Sequence, residues 1–407
     1  MTIISNAKII DVDQGAYVDE AHIVVEGGVI RELSRLQPRM ADARRIDVAG
    51  ATVMPGLIDA HVHVIAHTAD FAAIQRQSPF EVAAHASRTL RSMMGRGFTT
   101  VRDVGGCDFG LARAVDDGLF IGPRIAFGGK ALSPTGGHGD MRGPGEDTID
   151  EAYTVPGLGR RCDGVEAVRA AARDELRRGA HHVKIMANGG VSSPTDRIDS
   201  DQFSEAEIAV AVDEAQMANR YVVAHAYTAR AITRCVRNGV RSIEHGNLVD
   251  EAAIAMMKER GAFLVPTLST YRALKDEGVA AGLPASLADK IDIVLDAGIR
   301  AVEMAYRAGV QMAYGTDLLG TMHRRQLDEF GLRAEVVPPA DLLRTATVTG
   351  ATLLRMEDRL GRIAPGYCAD LIAFDGDPLR DIGIMTQLPQ RLSLIMKQGV
   401  SYAIKTQ

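Results

Sequence analysis

The sequence predicts an α/β protein, a (β/α)8 TIM barrel joined to a small β-sandwich that the two chain ends build together. Three observations carry this expectation. Between about 55 and 356, eight short apolar segments alternate with amphipathic helical stretches. That is the pattern of a parallel sheet, and eight strands is the number that closes into a barrel. The flanking stretches, 1–54 and 357–407, read instead as short strands with tight turns, and neither is long enough to bury a core alone. Finally, histidines, a lysine and an aspartate recur where the apolar segments of the middle region end, the position at which such barrels keep their chemistry.

At the N-terminus Ile3-Ile4 and the run 7–10 come first. His22-Ile23-Val24-Val25 then leads through Glu26-Gly27-Gly28 to Val29-Ile30, a hairpin signal. A turn at 47–50 precedes Thr52-Val53-Met54. The C-terminal stretch repeats this character, with a turn at 361–366 and strands at 369–374 and 392–396. Because chain ends often meet in space, the two stretches are expected to pair into one discontinuous domain, 1–54 plus 357–407, beside a barrel over 55–356.

Within the barrel region the expected strands are 57–64, 99–104, 124–127, 182–186, 221–225, 241–245, 263–266 and 312–316. Helices are expected over 165–178, 205–219, 296–308 and 341–354, the second opened by a Ser204/Glu207 capping box.

Composition removes several classes of function. A net charge of −6 and a pI near 6.0 give no electrostatic reason to expect nucleic acid or an anionic membrane as partner. The hydrophobic share of 46% is that of a soluble globular protein, and no apolar run approaches the length that spans a bilayer. Residues 1–10 lack the basic-then-apolar pattern of a secretory signal. Cys107, Cys162, Cys235 and Cys368 are widely spaced with no Cys-x-x-Cys pair. This argues against a thiolate zinc site or a disulfide framework, and the expected compartment is a reducing cytoplasm. A processed, exported precursor would read the same way.

The chemistry begins at Pro55-Gly56-Leu57-Ile58-Asp59-Ala60-His61-Val62-His63. In an extended strand, i and i+2 face one side, so both imidazoles project into one space and can bind a divalent transition metal. Lys184 lies inside the apolar fourth segment. It is either paired with a carboxylate or snorkelling, or it is an amine that has added carbon dioxide, for which burial supplies the needed deprotonated state. His225 and His245 end the fifth and sixth segments, and Asp317 ends the eighth in Gly315-Thr316-Asp317. Singly, each histidine reads as core and Asp317 as a helix N-cap; together they read as one site. His323 lies on the loop after Asp317 and is either a pocket-lining residue or a packing one. Asp103, ending the second segment, is either a turn residue or a group that orients a ligand. His182 shares the parity of Lys184 and is expected to pack deeper in the barrel. His22, His67, His85 and His181 receive no role.

Taken in order, Pro-Gly-Leu-Ile-Asp-x-His-x-His, Lys184, His225, His245 and Gly-Thr-Asp317 resemble the amidohydrolase superfamily. The likeness is to its prolidase-like dipeptidase and carboxypeptidase branch, related to imidazolonepropionase, and it covers nearly the whole chain. The resemblance implies a metal-dependent hydrolase of carbon–nitrogen bonds holding two divalent ions, in most relatives Zn2+. His61, His63 and Asp317 would hold one ion and His225 with His245 the other, with Lys184, carboxylated on its amine, bridging them. Hydroxide shared by the two ions would attack the amide carbonyl, and Asp317 would act as base and then acid. His138, in a Gly-His-Gly loop, would hydrogen-bond the substrate carbonyl or its oxyanion, and Tyr227 would meet a free carboxylate. The substrate implied is a dipeptide or N-acyl amino acid, including N-acylated aromatic amino acids of the ochratoxin kind, and relatives are often homo-oligomers. Side-chain preference would rest on loops around 65–77, 133–150, 267–283 and 318–327. Two alternatives stand beside this reading: a cyclic amidase on the same barrel, and a non-catalytic scaffold.

Overall fold

A computed structural model describes residues 1–147, 152, 154–287 and 289–404; the last three residues of the 133–150 loop and of the C-terminal stretch lie outside it. The middle of the chain forms the barrel. Its strands are Leu57–Val62, Phe98–Asp103, Arg124–Phe127, Val183–Met186, Val222–Thr228, Ser242–Leu248 and Phe263–Val265. Parallel pairing runs through the first three and from the fourth to the seventh. The third and fourth are joined where His181 N donates to Phe127 O at 2.8 Å.

The eighth expected strand is the irregular one. Met312 makes a single parallel bridge to Leu264, and Ala60 N donates to Tyr314 O at 2.7 Å, so the segment still closes the ring between strands seven and one. It is not a regular strand because the Tyr314 N–H goes to Thr345 O at 3.0 Å instead of to a neighbouring strand. That carbonyl and Ala346 O, which accepts from Ile58 N at 2.7 Å, tie the base of the barrel. This also explains why the helix expected over 341–354 is two helices, Pro339–Thr345 and Val348–Leu353. The hydroxyls of Thr345 and Thr347 donate back to Leu342 O and Leu343 O, a pattern that bends helices. Conversely, the helix expected from 296 begins seven residues earlier, at Asp289–Ala308, because Ile291 and Val294 extend the buried face of Gly298, Ala301, Val302 and Ala305. The Ser204/Glu207 capping box is present on helix Glu205–Met217.

The chain ends build two packed sheets. One has the order Val29–Ser34, His22–Glu26, Thr2–Ser5, Arg44–Asp47; the other runs Val400–Ile404, Leu392–Lys397, Leu371–Phe374, Thr52–Pro55, Lys8–Asp11, Ala16–Tyr17. Antiparallel pairing of Leu371 with Pro55 through Phe374 with Thr52 joins the two ends of the chain. The second sheet is apolar on both faces. Val53, Leu371, Ala373, Leu394 and Met396 face the small sheet, whereas Met54, Ile372, Phe374 and Ile395 belong to the barrel's core. Alternate side chains point to opposite faces, so a strand buried on both sides reads as a continuous apolar run. Among the described residues no helix is long and apolar enough to cross a membrane.

A buried ion pair locks strands seven and eight. Arg333 and Glu329, both fully buried, meet at 2.6 Å. Arg333 also donates to Ala313 O and Pro266 O, while Glu329 accepts from the amides of Leu268 and Ser269. Removing one partner strands a buried charge, so Arg333→Met is expected to lower unfolding stability by about 3–5 kcal/mol. A urea titration showing less than about 1 kcal/mol would contradict this role.

Candidate active site

His61, His63, Lys184, His225, His245 and Asp317 all line one cavity at the C-terminal rim of the barrel. Neighbouring rings are close: His61 and His245 have centroids 4.8 Å apart, His225 and His245 4.7 Å, and His61 and His63 5.5 Å. His61, His245 and Asp317 each bring one donor atom to within 4.8 Å of the others. His245 therefore sits between the two groups that the family pattern separates.

Each imidazole is held by one nitrogen. His61 Nδ1 lies 2.6 Å from Glu244 Oε2, His63 Nδ1 2.9 Å from Gly105 O, His225 Nε2 3.1 Å from Gly189 O, and His245 Nδ1 2.8 Å from Thr267 Oγ1. A carbonyl or carboxylate can only accept, so the proton of His61, His63 and His225 belongs on the anchored nitrogen. The other nitrogen of each ring faces the cavity, the arrangement found around metal-binding histidines, and those of His61 and His63 also face Asp317. Asp317 Oδ1 stands 3.4 Å from His61 Nε2 and 3.2 Å from His63 Nε2. The donor set of four fixed imidazoles and a carboxylate fits divalent transition ions.

Lys184 is buried, and its amine makes no hydrogen bond or ion pair among the described residues. Burial pulls its ammonium down to about 8, so a deprotonated amine is accessible near neutrality. Burial likewise holds His225 and His245 well below the ordinary histidine value, in the neutral, ligating form.

Backbone geometry at the rim is unusual. His245 and Asp317 adopt φ of +71° and +53°, a left-handed conformation that costs a side-chain-bearing residue of order 1–3 kcal/mol. Asp317 is held there by its N–H, which donates to His61 O at 2.9 Å. Gly315 allows the close approach, since a Cβ there would fall 2.4 Å from Val265 and 3.0 Å from His61. Asp59 adds a second tie between strands one and eight, accepting from Thr316 Oγ1 at 2.6 Å, Gln326 Nε2 at 2.8 Å and His61 N at 3.1 Å. Asp103 is a turn residue that accepts from Val64, Gly105 and Cys107 amides. Through Gly105 it supports the carbonyl that anchors His63.

His138 reaches the cavity from the loop after strand three, stacked on His225 at 4.3 Å. Its Nδ1 is 2.7 Å from Ser193 Oγ, and the Ser193 hydroxyl is committed to Asp196. Nδ1 therefore carries the proton, and Nε2 is left for the cavity. The short strands Ala131–Ser133 and Gly159–Arg161, which are not among the strands expected from the sequence, pair beside strand four and hold this segment. A side chain at Gly190 would collide with the His138 ring at 1.9 Å. Lys290 clamps the same loop, donating to Gly190 O, Ser193 O and Asp196 O at 2.7–3.0 Å. Tyr227 lines the cavity and receives the Tyr271 hydroxyl at 3.0 Å. His323 does not line it: its Nε2 lies 3.2 Å from Ala66 O, where it packs beneath the loop after strand one. This placement fits the packing reading of His323.

Several residues of the site carried no assignment from the sequence. Arg102, fully buried, forks onto Glu244 at 2.8 and 2.9 Å and gives Nε to Ala60 O at 2.6 Å. Burial would raise the Glu244 carboxyl, but Arg102 and His61 hold it well below the usual range. Both residues bear the signal that marks Lys184, a charge inside an apolar strand. Tyr271, Ser193, Asp196 and Lys290 bear no such signal, because their partners are distant in sequence. The loop after strand four also contributes Val191 and Ser192 to the cavity.

Residues 52–403 match the amidohydrolase family, and the chain belongs to it. It is a hydrolase of amide bonds. Among its relatives is an ochratoxinase of Aspergillus niger, 33% identical over 363 residues, covering 85% of this chain and 75% of that one. The structure is similar to that of a prolidase complexed with N-methylphosphonate-L-proline (46% identity, TM-score 0.97, covering 99% of this chain and 100% of that one). It is also similar to a Xaa-Pro dipeptidase with methionine bound in its active site (30% identity, TM-score 0.87, 99% of each chain).

Because Glu244 orients His61, Glu244→Gln is expected to weaken metal retention about 10–100-fold without emptying the barrel core. Competition against a graded chelator series measures this, and an unchanged affinity would remove Glu244 from the orienting role.

Proposed function

We propose that this chain hydrolyses the amide bond of a small substrate whose leaving amine carries a free carboxylate, a dipeptide or an N-acyl amino acid. Acylated aromatic amino acids are included. The observation that carries this reading is the set of four imidazoles, each anchored by one nitrogen, with the other left for the cavity shared by Lys184 and Asp317. His61, His63 and Asp317 would hold one divalent ion and His225 with His245 a second, both most simply zinc. Lys184, carboxylated on its deprotonated amine, would span them. When bound, the ions supply Lewis-acid activation of water and of the scissile carbonyl.

The protein's own groups do the rest. Asp317, beside His61 and His63, takes a proton from the attacking water and returns it to the leaving amine. Neutral His138 faces the substrate through Nε2, as a hydrogen-bond acceptor from a substrate N–H, and donates to an oxyanion only after gaining a proton. Tyr227 accepts from Tyr271, so its own O–H is left to donate to a carboxylate. Phe71, Met141, Leu158, Leu274 and Leu319 supply an apolar wall for the acyl group or an apolar side chain.

Asp317→Asn should lower kcat by about 10²–10⁴ while metal analysis still finds at least one bound ion; full turnover would refute the proton-transfer role. Dipeptides and N-acyl amino acids are then compared with their carboxyl-amidated forms. Capping should cost at least about tenfold in kcat/KM, the worth of a hydrogen bond to a charged group. Tyr227→Phe should impose a similar loss on the free substrates alone. Equal rates for capped and free substrates would exclude carboxylate recognition.

A further inference from the structure

The end of the barrel opposite this site carries a second polar feature. A cavity of about 300 Å³ opens where strands five, six and seven begin; Arg220, Tyr221, Arg241, Arg260 and Arg355 line it, and no aspartate or glutamate does. Arg241 gives Nη2 to Thr352 O at 2.8 Å and turns Nε toward Leu353 O at 3.4 Å, which leaves Nη1 unused. Arg355 gives Nη1 to Asn219 O at 3.1 Å, leaving Nε and Nη2. Both guanidinium groups lie over the Tyr221 ring, 5.7 and 5.5 Å from its centroid. Arg220 is exposed, and its side chain has no hydrogen bond or ion pair among the described residues. The nearest carboxylate to Arg260 is its neighbour Glu259, at 3.9 Å.

Cations at helix C-termini are ordinary, and that accounts for Arg241 and Arg355, which cap helices Val348–Leu353 and Glu205–Met217. It does not account for the rest. Tyr221 is only 5% exposed, yet its hydroxyl has no hydrogen-bond partner among the described residues. A buried, unpaired phenol is unfavourable, and gathering guanidinium groups around a cavity whose lining holds no carboxylate adds repulsion. A bound anion relieves both.

We propose that this basal cavity binds a doubly charged tetrahedral oxyanion, either inorganic phosphate or the phosphate group of a monoester. Three terminal oxygens can accept from several guanidinium forks and a phenol at once, whereas a carboxylate offers two. The test uses the metal-replete enzyme with inorganic phosphate, glycerol phosphate, acetate and sodium chloride at matched ionic strength, read by calorimetry and thermal unfolding. Phosphate or the ester should bind and raise Tm above the chloride and acetate arms. Binding of both assigns the site to the phosphoryl group, and binding of inorganic phosphate alone assigns it to the free ion.

Arg220→Gln, at an exposed side chain with no bonds to lose, should weaken that binding roughly tenfold or more and leave amide hydrolysis unchanged. Tyr221→Phe should also weaken it, while holding or raising Tm in the absence of phosphate, since it deletes an unsatisfied hydroxyl. Phosphate binding that is the same in both variants belongs elsewhere, the metal centre included, and overturns the proposal. No binding beyond the chloride control overturns it as well.

Discussion

The carboxylate of Glu244 is the constraint around which the barrel interior is organised. It is fully buried and takes the Arg102 fork, the Ser242 hydroxyl at 2.5 Å and His61 Nδ1 at 2.6 Å. A buried charge is tolerable only with a partner and satisfied lone pairs, and meeting that need joins strands one, two and six on one axis. The same bonds settle which nitrogen of His61 carries the proton. Charge burial and the geometry of the rim are thus one problem with one solution.

The other imidazoles are fixed by neutral partners, which cost less to bury. Backbone carbonyls of Gly105 and Gly189 hold His63 and His225, and Thr267 holds His245. Bringing the rings together requires the left-handed turns at His245 and Asp317 and the absence of side chains at Gly190 and Gly315. Such strain persists only where the surroundings over-determine it. The Asp317 N–H bound to His61 O and the Asp59–Thr316 bond provide that restraint.

Support extends outward through the shared sheet. Thr52–Pro55 pairs with Leu371–Phe374 and runs through Gly56 directly into strand one. The residues that carry His61 and His63 therefore enter the barrel from an element buried on both faces. On the other side of the cavity, the loop after strand four is clamped by Lys290 on three carbonyls. This places His138 by a chain of polar contacts instead of by apolar packing.

The sequence by itself determined the alternation of strands and helices, the pairing of the two ends and the six residues of the rim. These depend on local period and on side chains at strand ends, which are readable one segment at a time. It also shows charges inside apolar strands, Arg102 and Glu244 as well as Lys184, but not which of them meet. Tertiary structure alone decided which nitrogen each imidazole presents, that His323 packs beneath a loop, and that the helix after strand eight breaks so that its carbonyls can hold the barrel's base. It also decided the Ser193–Asp196–Lys290 support behind His138 and the unpaired Tyr221 among arginines. Apart from the Ser193–Asp196 contact itself, each of these turns on a partner 22 to 288 residues away in the chain or on a backbone group freed by a neighbour, and no spacing within a single segment encodes such a meeting.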